Sequence, residues 1–425
     1  MKNIFYQFNK NGLSVTPAIV PMPENSITLP IRNDSQRIMY LSLLAFFFGA
    51  GVVILAKSVS WLINVFTQFF FLEGTGDPAA HHLGGWVILV PLAGGLLAIL
   101  LTGRNIPLFK TLAMAIGIGT GAPLGVEGVV MHGGGALVAT GSRFLRITAA
   151  EGHILLVAAI GSGMSWYLGA PVAAIFLALE VLLLEWSFLA ILPVVMGAAT
   201  GGLFHYYLLE GKPFFSMGAG PANNGMAIVA YTVAGLFIGL LSVLIVKLSR
   251  RWTRWFDKLS LRSRWWLLLG AALVGVAGYC APETLGTGAH FGNDLLQAHV
   301  TIQLLFILGI IKLLPWLFYT AANKSGTAIM PLLIMGGATG LLLALIIQLI
   351  FPAVIINPAM AALIGMGALF AGVSRALLTA VILIVEMTHE TAAVLPLVCT
   401  CMVSYGISFF LIKTKRKAVE DLALC

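Results

Sequence analysis

Residues 125–128 read Gly-Val-Glu-Gly, a carboxylate between glycines inside an apolar stretch. An ionisable group in such a setting is expensive unless it has a partner or a purpose. Glycine lets another group come close to the backbone. A helix start offers unsatisfied N–H donors and about half a positive charge. Together these form a place for an anion without a Lys or Arg, whose full charge would hold the ion too tightly for fast release. Glu127 there can fill the anion's position when ionised and leave it when protonated, which makes a proton-sensitive gate. Burial and neighbouring anions oppose its ionisation, backbone N–H bonds favour it, and the sum of the two is open. The plainer alternative is a carboxylate satisfied by backbone donors at a helix start or in a loop.

Few other residues suggest chemistry. His132, five residues after Glu127, is a candidate for proton delivery, with a packed or loop histidine as the alternative. Glu180 and Glu386 each close an apolar segment and read as carboxylates bonded to backbone at membrane depth. Ser325 and His132 could make a hydrolase, but nothing in the sequence places them together and no metal-type His/Asp/Glu cluster is present, so an enzyme is not expected. Gly117-Ile118-Gly119-Thr120-Gly121 lacks the Lys-Ser/Thr ending of a phosphate loop. Cys280, Cys399, Cys401 and Cys425 have no metal spacing and read as small hydrophobes. Neither a cofactor nor a metal is expected.

The elements that carry these residues must sit in lipid. Of 425 residues, 59% are hydrophobic and 9% charged, with a mean hydropathy of +0.99. Soluble chains carry about 25% charged residues, and a water-soluble fold of this size could not cover its surface with so few. The net charge of +8 is concentrated in runs beside apolar segments, from Lys247 to Arg264 and from Lys413 to Lys417. That is the signature of cytoplasmic loops, not of a nucleic-acid surface. The polar N-terminus, with Pro17, Pro21, Pro23 and Pro30, lacks the apolar core of a signal peptide and reads as a cytoplasmic tail.

Apolar runs at 38–72, 84–101, 191–209, 226–246, 265–279, 304–318, 341–350, 359–370 and 394–412 predict membrane helices. The first would make about 50 Å of helix against about 30 Å of hydrocarbon, so it must tilt or break. Between Lys110 and Val181, and again from Ser325 to Gly340, glycine clusters cut the apolar stretches, as in the broken helices of transporters. The basic run after Val246 reads as a loop.

The two halves also match. A shift of 202 lays Gly134-Gly135-Ala136 on Gly336-Gly337-Ala338, and a shift of 206 lays Ala170 to Glu180 on Ala376 to Glu386. Lys110 and Lys312 begin corresponding segments. Inverted repeats of this kind put a substrate site where the halves meet. The predicted fold is all-α, a polytopic membrane protein of two inverted-topology repeats of tilted and broken helices. Its expected parts are a cytoplasmic tail (1–36), repeat 1 (37–209), an external linker (210–225), repeat 2 (226–412) and a short basic cytoplasmic tail (413–425).

The stretch from Lys110 to Glu180 resembles the CLC family of chloride channels and proton-coupled chloride antiporters. Gly125-Val126-Glu127-Gly128-Val129, followed by Gly134-Gly135, is similar to that family's Gly-Lys/Arg-Glu-Gly-Pro motif and its Gly-Gly pair. Gly326-Thr327-Ala328-Ile329-Met330-Pro331 resembles its Gly-Gly-x-Phe-x-Pro anion-binding turn, and Ser374-Arg375 to Glu386-Met387-Thr388 is similar to a further family segment. The likeness runs from Arg37 to Ile412. It implies a divergent prokaryotic member, multi-pass in the inner membrane; the basic runs lead to the expectation of both termini in the cytoplasm, and the short basic tail to that of no CBS domains. It implies Glu127 as the gate, and Gly125, Val126, Gly128, Ala328 and Ile329 as the anion-binding backbone. It also implies chloride or a similar small anion and protons as the partners within membrane lipid, and a homodimer with one pore per subunit.

The departures are specific. The family's Gly-Ser-Gly-Ile-Pro loop, which supplies a serine hydroxyl, is not found, and Gly103-Arg104-Asn105-Ile106-Pro107 lies too close to Lys110 to replace it. A deletion of that loop and its short helix is expected. By length Lys417 falls where the pore tyrosine belongs, and Tyr405 comes too early. Val129, Thr327 and Ile329 replace the motif's Pro, Gly and Phe. Val181 stands where proton-coupled members place an internal glutamate, which resembles the channel branch. The rival function is a carrier of another anion: fluoride, nitrate, or a small organic anion gripped by Lys110 or Lys312.

Overall fold

The structure, a computed structural model, describes residues 35–71, 78–102, 107–183, 188–217, 225–258, 265–323 and 328–412. These form helices and loops, with no strand among the described residues. The first half holds α1 (Ser35–Phe71), α2 (Leu89–Thr102), α3 (Pro107–Gly119), α4 (Val126–Gly141), α5 (Ala149–Leu168), α6 (Pro171–Leu177) and α7 (Phe188–Leu209). The second holds α8 (Gly225–Lys258), α9 (Trp266–Cys280), α10 (Phe291–Leu296), α11 (Ile302–Phe306), α12 (Leu313–Asn323), α13 (Ile329–Ile350), α14 (Pro358–Ser374), α15 (Leu377–Thr388) and α16 (Val394–Leu411). Wider π-helical turns extend α6 through Leu183 and join α11 to α12. Residues 1–34 and 413–425 of the predicted tails and 218–224 of the predicted linker lie outside the described residues, while Ser35 and Gln36 already belong to α1 and Gly225 to α8.

Seven helices among the described residues are long and apolar enough to cross a membrane. The outside of the bundle is apolar, with Ile54, Trp61, Phe69 and Leu349 all largely exposed. Such a surface suits lipid as the solvent and would be unsustainable in water. The chain is an integral, multi-pass membrane protein.

α1 is unbroken over 37 residues. At 1.5 Å per residue that is about 55 Å, so it tilts or projects beyond the hydrocarbon. Its start is clamped by Arg37, which donates from Nε and Nη2 to Glu151 (2.6 and 2.8 Å). Glu151 is also half of a capping box with Thr148 at the start of α5.

The structure corrects the expected helix breaks. Gly133, Gly134 and Gly135 lie inside α4, which continues through them. They act in packing. A Cβ at Gly133 would press on Leu55 of α1 and Thr111 of α3, and one at Gly134 would crowd Val52 and the Ala159 carbonyl. Gly336, Gly337 and Gly340 likewise lie within the continuous α13, and Gly336 and Gly340 bring it against α14. Small residues at helix crossings are the usual means of close approach in lipid, where no hydrophobic effect pulls helices together. The break does occur between α3 and α4. There Gly121 takes φ +92, and its carbonyl accepts the Gly286 amide at 2.9 Å. The basic stretch after Val246 is helical as far as Lys258, where α8 ends, and 259–264 lie outside the described residues.

The repeat survives in three dimensions. α6 and α15 begin at Pro171 and Leu377, on the 206-residue shift, and α4 and α13 begin one residue off the 202-residue shift. The described end of the segment joining the halves is docked: Phe215 donates to the Met387 carbonyl at 3.0 Å and Ser216 to Asn293 Oδ1 at 2.9 Å.

Candidate functional site

Glu127 is the second residue of α4 and is fully buried. Gly125 caps the helix in extended backbone (φ −86, ψ 142). The side chain folds back over the helix start, and a Cβ on Gly125 would collide with its carboxylate. From the other half of the chain, Met330 in the first turn of α13 donates its backbone N–H to Glu127 Oε1 at 2.7 Å. Oε2 is buried with no hydrogen-bond partner among the described residues. Ala328 caps α13 in extended backbone and Ile329 begins it.

Two helix starts therefore converge on one carboxylate, each with free N–H donors and a partial positive charge. The same donors would serve a halide-sized ion if the carboxylate moved away. The space that a side chain at Gly128 would fill is open. Of the residues singled out in sequence, the structure gathers Gly125, Val126, Glu127, Gly128, Ala328 and Ile329 here. Met330 was missed, because a backbone amide leaves no trace in the side-chain sequence.

A network behind the site holds it in shape. Lys312, fully buried, donates from Nζ to the carbonyls of Glu283 (3.2 Å) and Leu285 (3.3 Å). The next residue, Gly286, bonds Gly121 in the turn that leads into α4. Lys312 thus braces the turn before Gly125, and its ammonium is spent on carbonyls. Lys110 sits half-buried in the first turn of α3.

His132 is buried and its Nδ1 lies 3.0 Å from Thr111 Oγ1. Five residues at 3.6 per turn put it about 140° around α4 from Glu127. The two side chains leave on different faces. Val181 is half-buried in the π-helical turn after α6. Tyr405 stacks on Phe409 in α16, and the ring of Phe409 also lies under Arg375. Ser325, Gly326, Thr327 and Lys417 lie outside the described residues, as does 103–106; only those four residues separate α2 from α3.

The paired carboxylates cap each other's half. Glu386 accepts the Val172 and Ala173 amides at the start of α6 (3.0 and 2.7 Å). Glu180 accepts the Leu378 and Thr379 amides (3.2 and 3.0 Å) and the Thr379 hydroxyl (2.7 Å) at the start of α15. Both carboxylates are half-buried rather than enclosed. No group of three or more metal-type ligands occurs among the described residues.

Known proteins resemble this chain in sequence and in fold. The chain is similar to the H(+)/Cl(-) exchange transporter ClcA of Vibrio vulnificus (strain YJ016), 27% identical over 292 residues, covering 67% of this chain and 62% of the relative. It is similar to ClcA of Salmonella arizonae, 26% identical over 295 residues with the same coverage. The matches thus span a little under two thirds of these relatives' length. Among solved structures, a slow cyanobacterial Cl-/H+ antiporter superposes with a TM-score of 0.78 at 20% identity, covering 89% of this chain and 95% of that one. A CLC-type fluoride/proton antiporter gives 0.72 at 18%, covering 89% and 97%. At these identities the structures show the fold. The model of the voltage gated chloride channel family matches residues 102–408, well over half of the chain, and to that CLC family the chain belongs.

Proposed function

We propose that this protein moves a small inorganic anion, chloride first, across the membrane through the site at the starts of α4 and α13, with Glu127 as the protonatable gate. The observation that carries this reading is the Glu127 carboxylate, which lies over its own helix start and accepts the Met330 amide of the opposite half at 2.7 Å. A negative group held by backbone donors at two helix starts marks a position that another anion can take in its place. The relatives' names, as chloride–proton exchangers, support the same choice of ion. Of the two lysines that could grip an organic anion, Lys312 already serves backbone carbonyls, which leaves Lys110 alone for that role.

The test is anion efflux from liposomes holding the purified protein, with external pH recorded at the same time. Chloride flux with opposed, stoichiometric proton movement means exchange. Flux without protons means an uncoupled pathway, for which the apolar Val181 is the expected cause. Glu127→Gln, a mimic of the protonated state, should flatten the pH dependence of flux, and an unchanged profile in that variant removes Glu127 from the gate.

A homodimer has its own support. Glu180 and Glu386 are half-exposed, beside the exposed apolar Val172 and Leu378. Partly bare carboxylates facing lipid are costly, and a second copy seated on this face would cover them. Cross-linking of cysteines introduced at 172 and 378 would show it. The basic end of α8 supports a cytoplasmic side there, and with it the proposed orientation, both termini cytoplasmic in a prokaryotic inner membrane.

A further inference from the structure

The gate needs somewhere to go. Glu127 Oε2 has no hydrogen-bond partner among the described residues, and the space beside Gly128 is open. A protonated carboxyl that leaves the helix starts enters an apolar surrounding, where an unpaired polar group is expensive.

The register of α4 against α5 brings Tyr167 to this level. A Cβ on Gly134 of α4 would meet the Ala159 carbonyl of α5, and a Cβ on Gly163 would meet Val130. Four residues forward in α5 correspond to four residues back in α4, so the two helices are antiparallel. One further step of four sets Tyr167 opposite Val126, next to Glu127. The two side chains are within electrostatic reach of each other. The Tyr167 ring is held on its flanks, by Trp166 at 6.5 Å and by Phe214 at 5.7 Å between ring centres. Phe214 in turn is set edge-on to Phe215, which is anchored to Met387. Tyr167 is half-buried, and no described residue hydrogen-bonds its hydroxyl.

We propose that the Tyr167 hydroxyl is the second resting point of the Glu127 carboxyl: when the protonated side chain leaves the starts of α4 and α13, the phenol hydrogen-bonds it and holds the pathway open. The ring is fixed by its aromatic neighbours, so the hydroxyl is ready in place and little freedom is lost on contact. The proposal rests on Glu127 being the gate. Of the other titratable groups on the surrounding elements, His205 of α7 lies beside Tyr167, its Nδ1 2.7 Å from the Trp166 carbonyl, and Glu386 is bonded to the amides at the start of α6. His132 on α4 is bonded to Thr111, and Lys110 lies on α3 near His132. Lys57 of α1 is exposed, Glu151 and His153 sit at the far end of α5, and α13 carries no titratable side chain.

Tyr167→Phe removes the hydroxyl and keeps the ring. A hydrogen bond of ordinary net strength is a factor of about five in an equilibrium, so the midpoint of proton-activated flux should move about 0.7 pH unit toward acid. The sign follows from the loss of a contact made only in the protonated, open form, so more protons are needed to reach it. Glu127→Gln is measured alongside. If that variant keeps its pH dependence, the gate reading fails independently of Tyr167. If its profile is flat and Tyr167→Phe leaves the midpoint unmoved, the gate stands and the Tyr167 proposal is overturned. In a Glu127→Ala background no carboxyl remains to be caught, and Tyr167→Phe should have no effect. Slowed flux there would mean that the phenol touches the ion itself, which also overturns the proposal.

Discussion

Gly125→Ala isolates the closed position of the gate. The backbone at Gly125, φ −86 and ψ 142, is open to alanine without strain. The three atoms nearest a Cβ there all belong to the Glu127 carboxyl group. The new methyl group therefore tests one contact and leaves the rest of the local fold alone. It forces the carboxylate off its seat and with it the 2.7 Å bond from Met330. A hydrogen bond to a charged group contributes about 1.5–3 kcal/mol, equal to about 1–2 pH units. The lost stabilisation belongs to the ionised, resting state, so proton-driven opening becomes easier. The midpoint of flux should rise by about 1–2 pH units, with more flux retained at alkaline pH. The assay is chloride efflux from liposomes across a pH series. Gly125→Ala combined with Glu127→Gln measures any hindrance by the methyl group to the ion itself. An unmoved midpoint, or one displaced toward acid, would refute the assignment of this carboxylate position as the closed gate.

Thr379→Val keeps the shape of the side chain and deletes its hydroxyl bond to Glu180, while the Thr379 amide bond remains. Unfolding in detergent should cost about 1–2 kcal/mol less, and no change would mean that lipid or water replaces the hydroxyl without loss. Gly340→Ala sets a methyl group against the Ala361 carbonyl and the Gly365 backbone at the α13–α14 crossing. Overpacking there should lower stability by about 1–3 kcal/mol and leave the pH midpoint of flux in place. A displaced midpoint would instead show that the seating of α13 tunes the Met330 amide.

Much of this protein was legible in one dimension. Composition sets the solvent: with 9% charged residues the chain cannot face water, and apolar run lengths then place the membrane helices. Gly125-Val126-Glu127-Gly128 announced itself because a carboxylate among glycines and apolar residues is costly, and the 206-residue shift between the halves matched the segments that become α6 and α15. Hydropathy is local, however, and could not tell a glycine that ends a helix from one that lets two helices touch. Gly121 does the first and Gly134 the second. The run after Val246 looked like a loop because charges mark the edge of lipid, whereas α8 simply continues past that edge.

Only the tertiary structure decided which groups meet. Glu127 and Met330 are 203 residues apart, Glu180 and Thr379 are 199, and Glu386 and Ala173 are 213. In each pair the donor is a backbone amide, which every residue except proline possesses. No residue type marks one of these amides as the partner of a buried carboxylate. Their availability comes from lying in the first turn of a helix, and their selection comes from the packing of one repeat against the other.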